Sequence, residues 1–186
     1  MTSVGSSFEN TVKHWSSWDP DPKTQTELQQ LLEQFTEGDA ASRITLEGLF
    51  VDRLRFGTAG IRGPLQPGPA GMNRVVIAQT TAGLAQYLLE KNSFDAKGPL
   101  RAVVGCDART NSAIFARDTA AILAGYGIEA ILLPEELPTP VLAFAVRYLE
   151  ADVGVMVTAS HNPPQDNGYK VYLGGRRRGI PDCAPC

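Results

Sequence analysis

Three short apolar runs rich in β-branched residues, 100–106, 128–133 and 153–157, alternate along the chain with segments of helical spacing. A continuous apolar run of this length reads as a strand buried on both faces. Ile77, Leu84, Tyr87 and Leu88 form one helix face. Phe115, Ile122 and Tyr126 form a second, and Val141, Ala145, Tyr148 and Leu149 a third. Strands joined by helical crossovers favour parallel neighbours and need cover on both faces. The expected fold is α/β: a three-layer αβα sandwich around a mixed, largely parallel sheet, preceded by an N-terminal helical extension.

The extension is read from residues 8–52. Leu28, Leu31, Leu32 and Phe35 share a helix face, with Asp21-Pro22 as cap and first-turn proline, or Thr24 with Glu27 as a capping box. Gly38-Asp39 ends that helix and caps another carrying Leu46, Leu49 and Phe50, while Trp15 and Trp18 lie ahead of both. The spacing divides the chain into an extension over 1–52, a main domain over 53–173 and a disordered tail over 174–186. Asp19 and Asp21 lack a third carboxylate at metal-site spacing and read as solvated turn residues.

Composition excludes several functions. A formal charge of −3 supplies no basic field for nucleic acid. No stretch approaches the roughly 20 apolar residues of a membrane helix, and the polar first ten residues lack the layout of a signal peptide. Three cysteines make a poor disulfide framework. A cytoplasmic location is the expectation.

The strand over 153–157 stops at Thr158, where a loop of thirteen small, polar and turn-forming residues begins. It carries a hydroxyl (Ser160), an imidazole (His161) and an amine (Lys170), and Asn162-Pro163 and Asn167-Gly168 are turn signals. Ligands of open α/β sheets gather where such strands end. Upstream, Arg55-Phe-Gly-Thr-Ala-Gly-Ile-Arg-Gly63 reads as a turn-rich segment, without the Gly-Lys-Ser/Thr of a P-loop. A proline- and glycine-rich loop follows at 68–71. Neighbouring residues on an extended loop point apart, so His161 is badly placed to activate Ser160 as in a hydrolase, and no Gly-x-Ser-x-Gly elbow exists. The loop is then either a plain surface turn or a carrier of phosphate on Ser160. A phosphoserine of charge near −2 needs cations and oriented donors around it. Arg62, Arg109, His161 and Lys170 are the candidates, with Asp107-Ala-Arg109 directly after a strand.

Phe56-Gly-Thr-Ala-Gly-Ile-Arg-Gly63, Gly105-Cys-Asp-Ala-Arg109, Pro138-Thr-Pro140, Thr158-Ala-Ser-His-Asn-Pro163 and Asn167-Gly-Tyr-Lys170 together resemble the α-D-phosphohexomutases, which include phosphoglucomutase, phosphomannomutase and relatives acting on phosphopentoses. The resemblance covers residues 50–172, and the run 165–172 looks closest to the phosphopentose branch. It implies that Ser160 is a phosphoserine which exchanges its phosphoryl group with a sugar monophosphate through a bound bisphosphate. It also implies that Lys170 is the general acid and base, needing a lowered pKa, and that Arg62 and His161 stabilise charge. Thr58, Gly60, Asp107, Arg109, Asn162 and Asn167 would support the loop. Mg²⁺, bound through the phosphate of Ser160, is the implied cofactor and a sugar 1,6-bisphosphate the implied activator. Sugar phosphates are the implied partners, with neither nucleic acid nor membrane.

The resemblance extends to the first of the family's four domains. The expectation is a truncated mutase, lacking domains II–IV and with little or no activity alone; the alternative is a non-catalytic remnant that binds sugar phosphates or a partner. Arg176 to Arg178 read as a solvated end. Cys183-Ala-Pro-Cys186 has zinc or redox spacing, but only Cys106, His14 and His161 remain as further ligands.

Overall fold

A computed structural model describes residues 3–57, 60–93 and 98–174 of the chain. Thr58, the three-arginine run and the Cys183/Cys186 pair lie outside the described residues.

The extension is three helices, α1 (Ser3–Trp18), α2 (Pro22–Thr36) and α3 (Ala40–Phe50). In α1, Val12 and Trp15 are buried, with Phe8 partly buried one turn earlier. Phe8 packs edge-on to Phe35 and Phe50, and Trp15 edge-on to Phe50, with ring centres 5.9–6.0 Å apart. Such pairs contribute about 0.5–1.5 kcal/mol beyond their burial, so the aromatics tie the three helices together. The Asp-Pro pair starts α2: Asp21 accepts from the Lys23 amide, with Pro22 in the first helical position. Thr24 instead donates to Asp19 Oδ2 at 2.6 Å. Asp19 is therefore no solvated residue. It is 2% exposed and also accepts from the Asp21 amide, organising the turn from inside. Asp39 caps α3 by accepting from the Ser42 amide at 2.7 Å.

The five strands are β1 (Gly60–Pro64), β2 (Arg101–Cys106), β3 (Glu129–Leu132), β4 (Val153–Val157) and β5 (Asp166–Leu173), ordered β1-β5-β4-β2-β3. β2 is parallel to β3 and β4, whereas β5 is antiparallel to both β4 and β1. The sheet is mixed because residues 158–165 are too few for the crossover that a parallel β4–β5 pair would need. Asn167-Gly168, read as a turn, lies inside β5 opposite Gly63 and Arg62 of β1. A Cβ on Gly168 would come within 2.6 Å of the Thr158 carbonyl oxygen and 2.9 Å of that of Ile61. That glycine marks close backbone approach within a sheet rather than a reversal.

Helices α4 (Arg74–Ser93) and α5 (Ser112–Gly125) cover one face of the sheet and α6 (Thr139–Tyr148) the other. Side chains alternate accordingly. Val104, Val155, Val157 and Tyr169 join the large cluster that also holds the buried residues of α1–α3, and Val103, Met156 and Tyr172 pack with Leu142, Ala145 and Val146 of α6. Two expected helix faces are offset. Tyr87 is 46% exposed, and Tyr148 turns outward because α6 buries Leu142, Ala145 and Val146 instead. In a helix this rich in apolar residues, spacing alone does not select the buried stripe.

Asn73 closes the proline- and glycine-rich loop. Its side-chain amide donates to the carbonyls of Gln66, Gly68 and Gly71, while its Oδ1 accepts from the Val76 amide at the start of α4. Asn73→Ala is expected to lower stability by about 2 kcal/mol, read as a lower urea midpoint at unchanged slope. No described helix is long and apolar enough to cross a membrane.

Candidate functional site

The site is built where adjacent parallel strands end. β2 finishes at Cys106 and β4 at Val157, and the two following turns meet beyond the sheet edge. The Asp107 amide donates to the Val157 carbonyl, joining them at the root.

Arg109 makes the main connection. Its Nη1 donates to the carbonyls of Pro163 and Asp166, and its Nη2 to those of Ser160 and Asn162, all at 2.8–3.0 Å. Bonds from a charged donor are stronger than neutral ones, and four carbonyls converging on one guanidinium fix the path of the 160–166 loop. Asp107 steadies this guanidinium through a 3.4 Å contact to Nε and accepts from the Arg109 amide and the Ser112 hydroxyl. Asn162 donates to Asp166 at 2.9 Å across the loop. Asn167 is fully buried and donates to the Thr110 carbonyl and to Ser112, tying the start of β5 to the start of α5.

Ser160 sits at the turn itself, with φ +59°. That left-handed conformation costs a residue bearing a Cβ roughly 1–2 kcal/mol, and the Thr158 hydroxyl helps to hold it by accepting from the Ser160 amide at 3.0 Å. Ser160 and His161 are both exposed. Neither side chain forms a hydrogen bond among the described residues, so no Ser–His pair of the hydrolase kind exists here. The serine hydroxyl is open to an incoming ligand.

Lys170 lies on β5, paired with Gly60 on one side and Met156 on the other. Burial, with the Arg62 guanidinium as the second cause, holds its ammonium below the usual lysine value, while Asp107 pulls weakly the other way. Burial raises the pKa of the Tyr172 hydroxyl, and Arg62, opposite Gly168 on β1, pulls partly against that rise. The structure thus brings Ser160, His161, Asn162, Asn167, Asp107, Arg109, Arg62, Gly60 and Lys170 to one edge and its adjoining strands; Thr58 is outside the described residues. The neutral amine of Lys170 is therefore populated at lower pH than on a free side chain. Amine-labelling of Lys170 should have a midpoint below 10.5, and Arg62→Met should move it upward, as read by peptide mass spectrometry across a pH series.

Sequence reading assigned no role to three supports, two of which, Thr158 and Tyr169, lie inside the motifs it quoted. Tyr169, next to Lys170, is fully buried, with its hydroxyl 3.0 Å from that of Thr81 and its pKa pushed up to about 12 by burial. It anchors β5 to α4. Ser112 and Thr158 join loop to helix and strand to loop. For Tyr169, the alternation of β5, with Tyr169 and Val171 on one face and Tyr172 on the other, carried the signal of burial. Among the described residues no three His, Cys, Asp or Glu side chains are grouped to hold a metal ion.

The family profile described as phosphoglucomutase/phosphomannomutase, alpha/beta/alpha domain I, matches residues 53–180. Over 104 residues the chain is 59% identical to a probable phosphomannomutase of Haemophilus influenzae, covering 56% of this chain and 20% of that protein. It is 39% identical over 184 residues to the phosphoribomutase of Saccharomyces cerevisiae, covering 97% of this chain and 28% of that one. A crystal structure from Thermus thermophilus, described as "putative phosphomannomutase", aligns with a TM-score of 0.58 and 38% identity, over 66% of this chain and 26% of that one. The chain therefore spans about a quarter of the length of the proteins it matches. On the profile match and these likenesses, it belongs to the phosphoglucomutase/phosphomannomutase family, of which it carries the alpha/beta/alpha domain I.

Proposed function

We propose that this chain is the phosphoserine-bearing domain of a sugar-phosphate mutase acting on hexose or pentose phosphates. The observation that carries this reading is the state of Ser160: exposed, held in a left-handed turn, its hydroxyl unbonded, on a loop gripped by Arg109. Ser160 Oγ attacks a phosphorus of a sugar bisphosphate, the bond from that phosphorus to the sugar oxygen breaks, and the sugar leaves as the monophosphate. The serine proton ends on the sugar oxygen by way of Lys170, whose lowered pKa suits an amine that both takes and gives a proton. In the productive direction the same phosphoryl group passes to the other hydroxyl of a bound monophosphate. The Arg62 guanidinium and hydrogen bonding from His161 stabilise charge on the transferring group and help to orient it. Asp107, Arg109, Asn162 and Asn167 hold the loop, Gly60 sets β1 against Lys170, and Thr58 belongs to the same glycine segment.

Magnesium does not fit this chain alone. A phosphate on Ser160 would be one ligand, and no described group of carboxylates accompanies it, whereas the ion favours octahedral oxygen coordination. With the site open to water, positioning and electrostatic gains are small, so the 186-residue polypeptide by itself is expected to turn over sugar phosphate slowly or not at all.

The test is intact mass with peptide mapping after incubation with glucose 1,6-bisphosphate and Mg²⁺. The expected result is one phosphoryl group on Ser160, absent in Ser160→Ala. No gain on Ser160 overturns the proposal and leaves family membership standing. Binding of the bisphosphate without transfer would favour a non-catalytic, sugar-phosphate-binding role.

A further inference from the structure

Away from the Ser160 loop, the end of α1 and the segment 50–55 line an open groove of 570 Å³. Its lining includes His14, Trp15, Trp18, Asp52, Arg53 and Arg55. A second open depression, of 160 Å³, shares Arg53 and Pro69 with it and is lined further by Gln79 and Thr80 of α4. Neither shares a lining residue with the Ser160 loop.

The chemistry of the two differs. In the larger, the rings of His14 and Trp18 lie 4.2 Å apart, and Trp18 is 53% exposed, presenting an aromatic surface to solvent. Trp15 is 5% exposed, and its indole N–H is buried with no acceptor among the described residues. An orphaned buried donor is costly and rare; this one is closed to solvent, so Trp15 serves the site as the wall behind Trp18. In the smaller depression Arg53 is already oriented, its Nη2 donating to Gln79 Oε1 at 3.0 Å. The rest of that guanidinium fork and the Thr80 hydroxyl form a donor set suited to phosphate oxygens. Arg55 adds a second guanidinium. Its contact with Asp52 is long and exposed, at 3.6 Å, and such pairs hold weakly. Two guanidinium groups against one carboxylate leave the site cationic.

From this juxtaposition we infer a binding site for a nucleoside phosphate, its base stacked on Trp18 and its phosphate on Arg53. Stacking on an aromatic face tolerates any base, and a planar guanidinium matches phosphate geometry. A sugar phosphate would supply the anion without the flat π-face, and a free nucleoside the face without the anion. The inference does not depend on the role proposed for Ser160.

The chain contains two tryptophans, Trp15 and Trp18, and both line the larger groove, so intrinsic fluorescence reports on it directly. Titration of the 186-residue protein with adenosine 5′-monophosphate should give saturable quenching with Kd below about 1 mM. Adenosine alone and glucose 6-phosphate should each bind about tenfold more weakly or worse. Arg53→Ala, with Arg53→Gln as the conservative partner, should weaken binding by roughly tenfold with an unchanged circular dichroism spectrum, and Ser160→Ala should bind as the unaltered chain does. Absence of saturable quenching would overturn the inference. So would equal binding of glucose 6-phosphate, undiminished binding by both folded Arg53 variants, or loss of binding in Ser160→Ala.

Discussion

Arg109→Ala is expected to lower stability by about 3 kcal/mol and to abolish the phosphoryl uptake proposed for Ser160. The substitution removes four charged-donor bonds to the carbonyls of Ser160, Asn162, Pro163 and Asp166, and leaves Asp107 without its guanidinium. Those carbonyls lie on a surface loop where water replaces part of what is lost, so the cost stays below the sum of four bonds. Positional control is not replaced. Ser160 keeps its left-handed conformation because the residues around it are held, and a freed loop relaxes to the cheaper right-handed regions. Thermal unfolding should fall by roughly 6–12 °C for a chain of this size. Arg109→Lys supplies the charge without the fork and should restore part of the stability while leaving phosphorylation low. If Arg109→Ala were phosphorylated by glucose 1,6-bisphosphate at the normal rate, the loop would not need its clamp.

The second large effect is expected from Gly60→Ala. Gly60 has φ +150°, a region almost closed to residues with a side chain. An added Cβ would overlap the Tyr169 carbonyl and lie 2.9 Å from the Lys170 Cα. Both obstacles are backbone, so relief requires β1 to part from β5 near Lys170. Strain and overpacking together should cost about 3–5 kcal/mol. The consequence reaches the site through Lys170, whose amine loses part of its burial and its guanidinium neighbour as the strands separate, so its pKa should return toward 10.5. A chemical denaturation curve measures the first effect and an amine-labelling pH series the second. A Gly60→Ala protein with unchanged stability would mean that β1 is not held against β5 in the way described.

The sequence made the alternating strands and helices legible because each is a local pattern. The run at 153–157 is buried at every position, as an unbroken apolar, β-branched segment requires. Asp21-Pro22 and Gly38-Asp39 announced two helix starts because capping uses only neighbouring residues. The residues of the candidate site were also named from motifs that resemble a known family, and the phosphate transfer proposed for them asks for a hydroxyl, an amine and cations in a turn-rich setting. Local pattern failed where a residue type has two uses. Asn167-Gly168 and the glycines at 60–63 read as turns, and packing made them strand residues, because a glycine admits a neighbouring backbone as readily as it admits a reversal. Asp19 read as solvated and is buried, because the Thr24 hydroxyl and the Asp21 amide are satisfied by its oxygens.

By itself, then, the chain's order of residues determined an α/β fold, the serine-bearing loop and the cast of charged groups around it, all properties that sit within a few neighbouring positions. Only the tertiary structure decided that β5 runs antiparallel beside β4, that Arg109 reaches some fifty residues along the chain to grip the loop, and that burial, with Arg62 nearby, depresses the pKa of Lys170. Those outcomes depend on which distant backbones share a sheet edge, a long-range choice settled by burial and pairing of polar groups across the whole core.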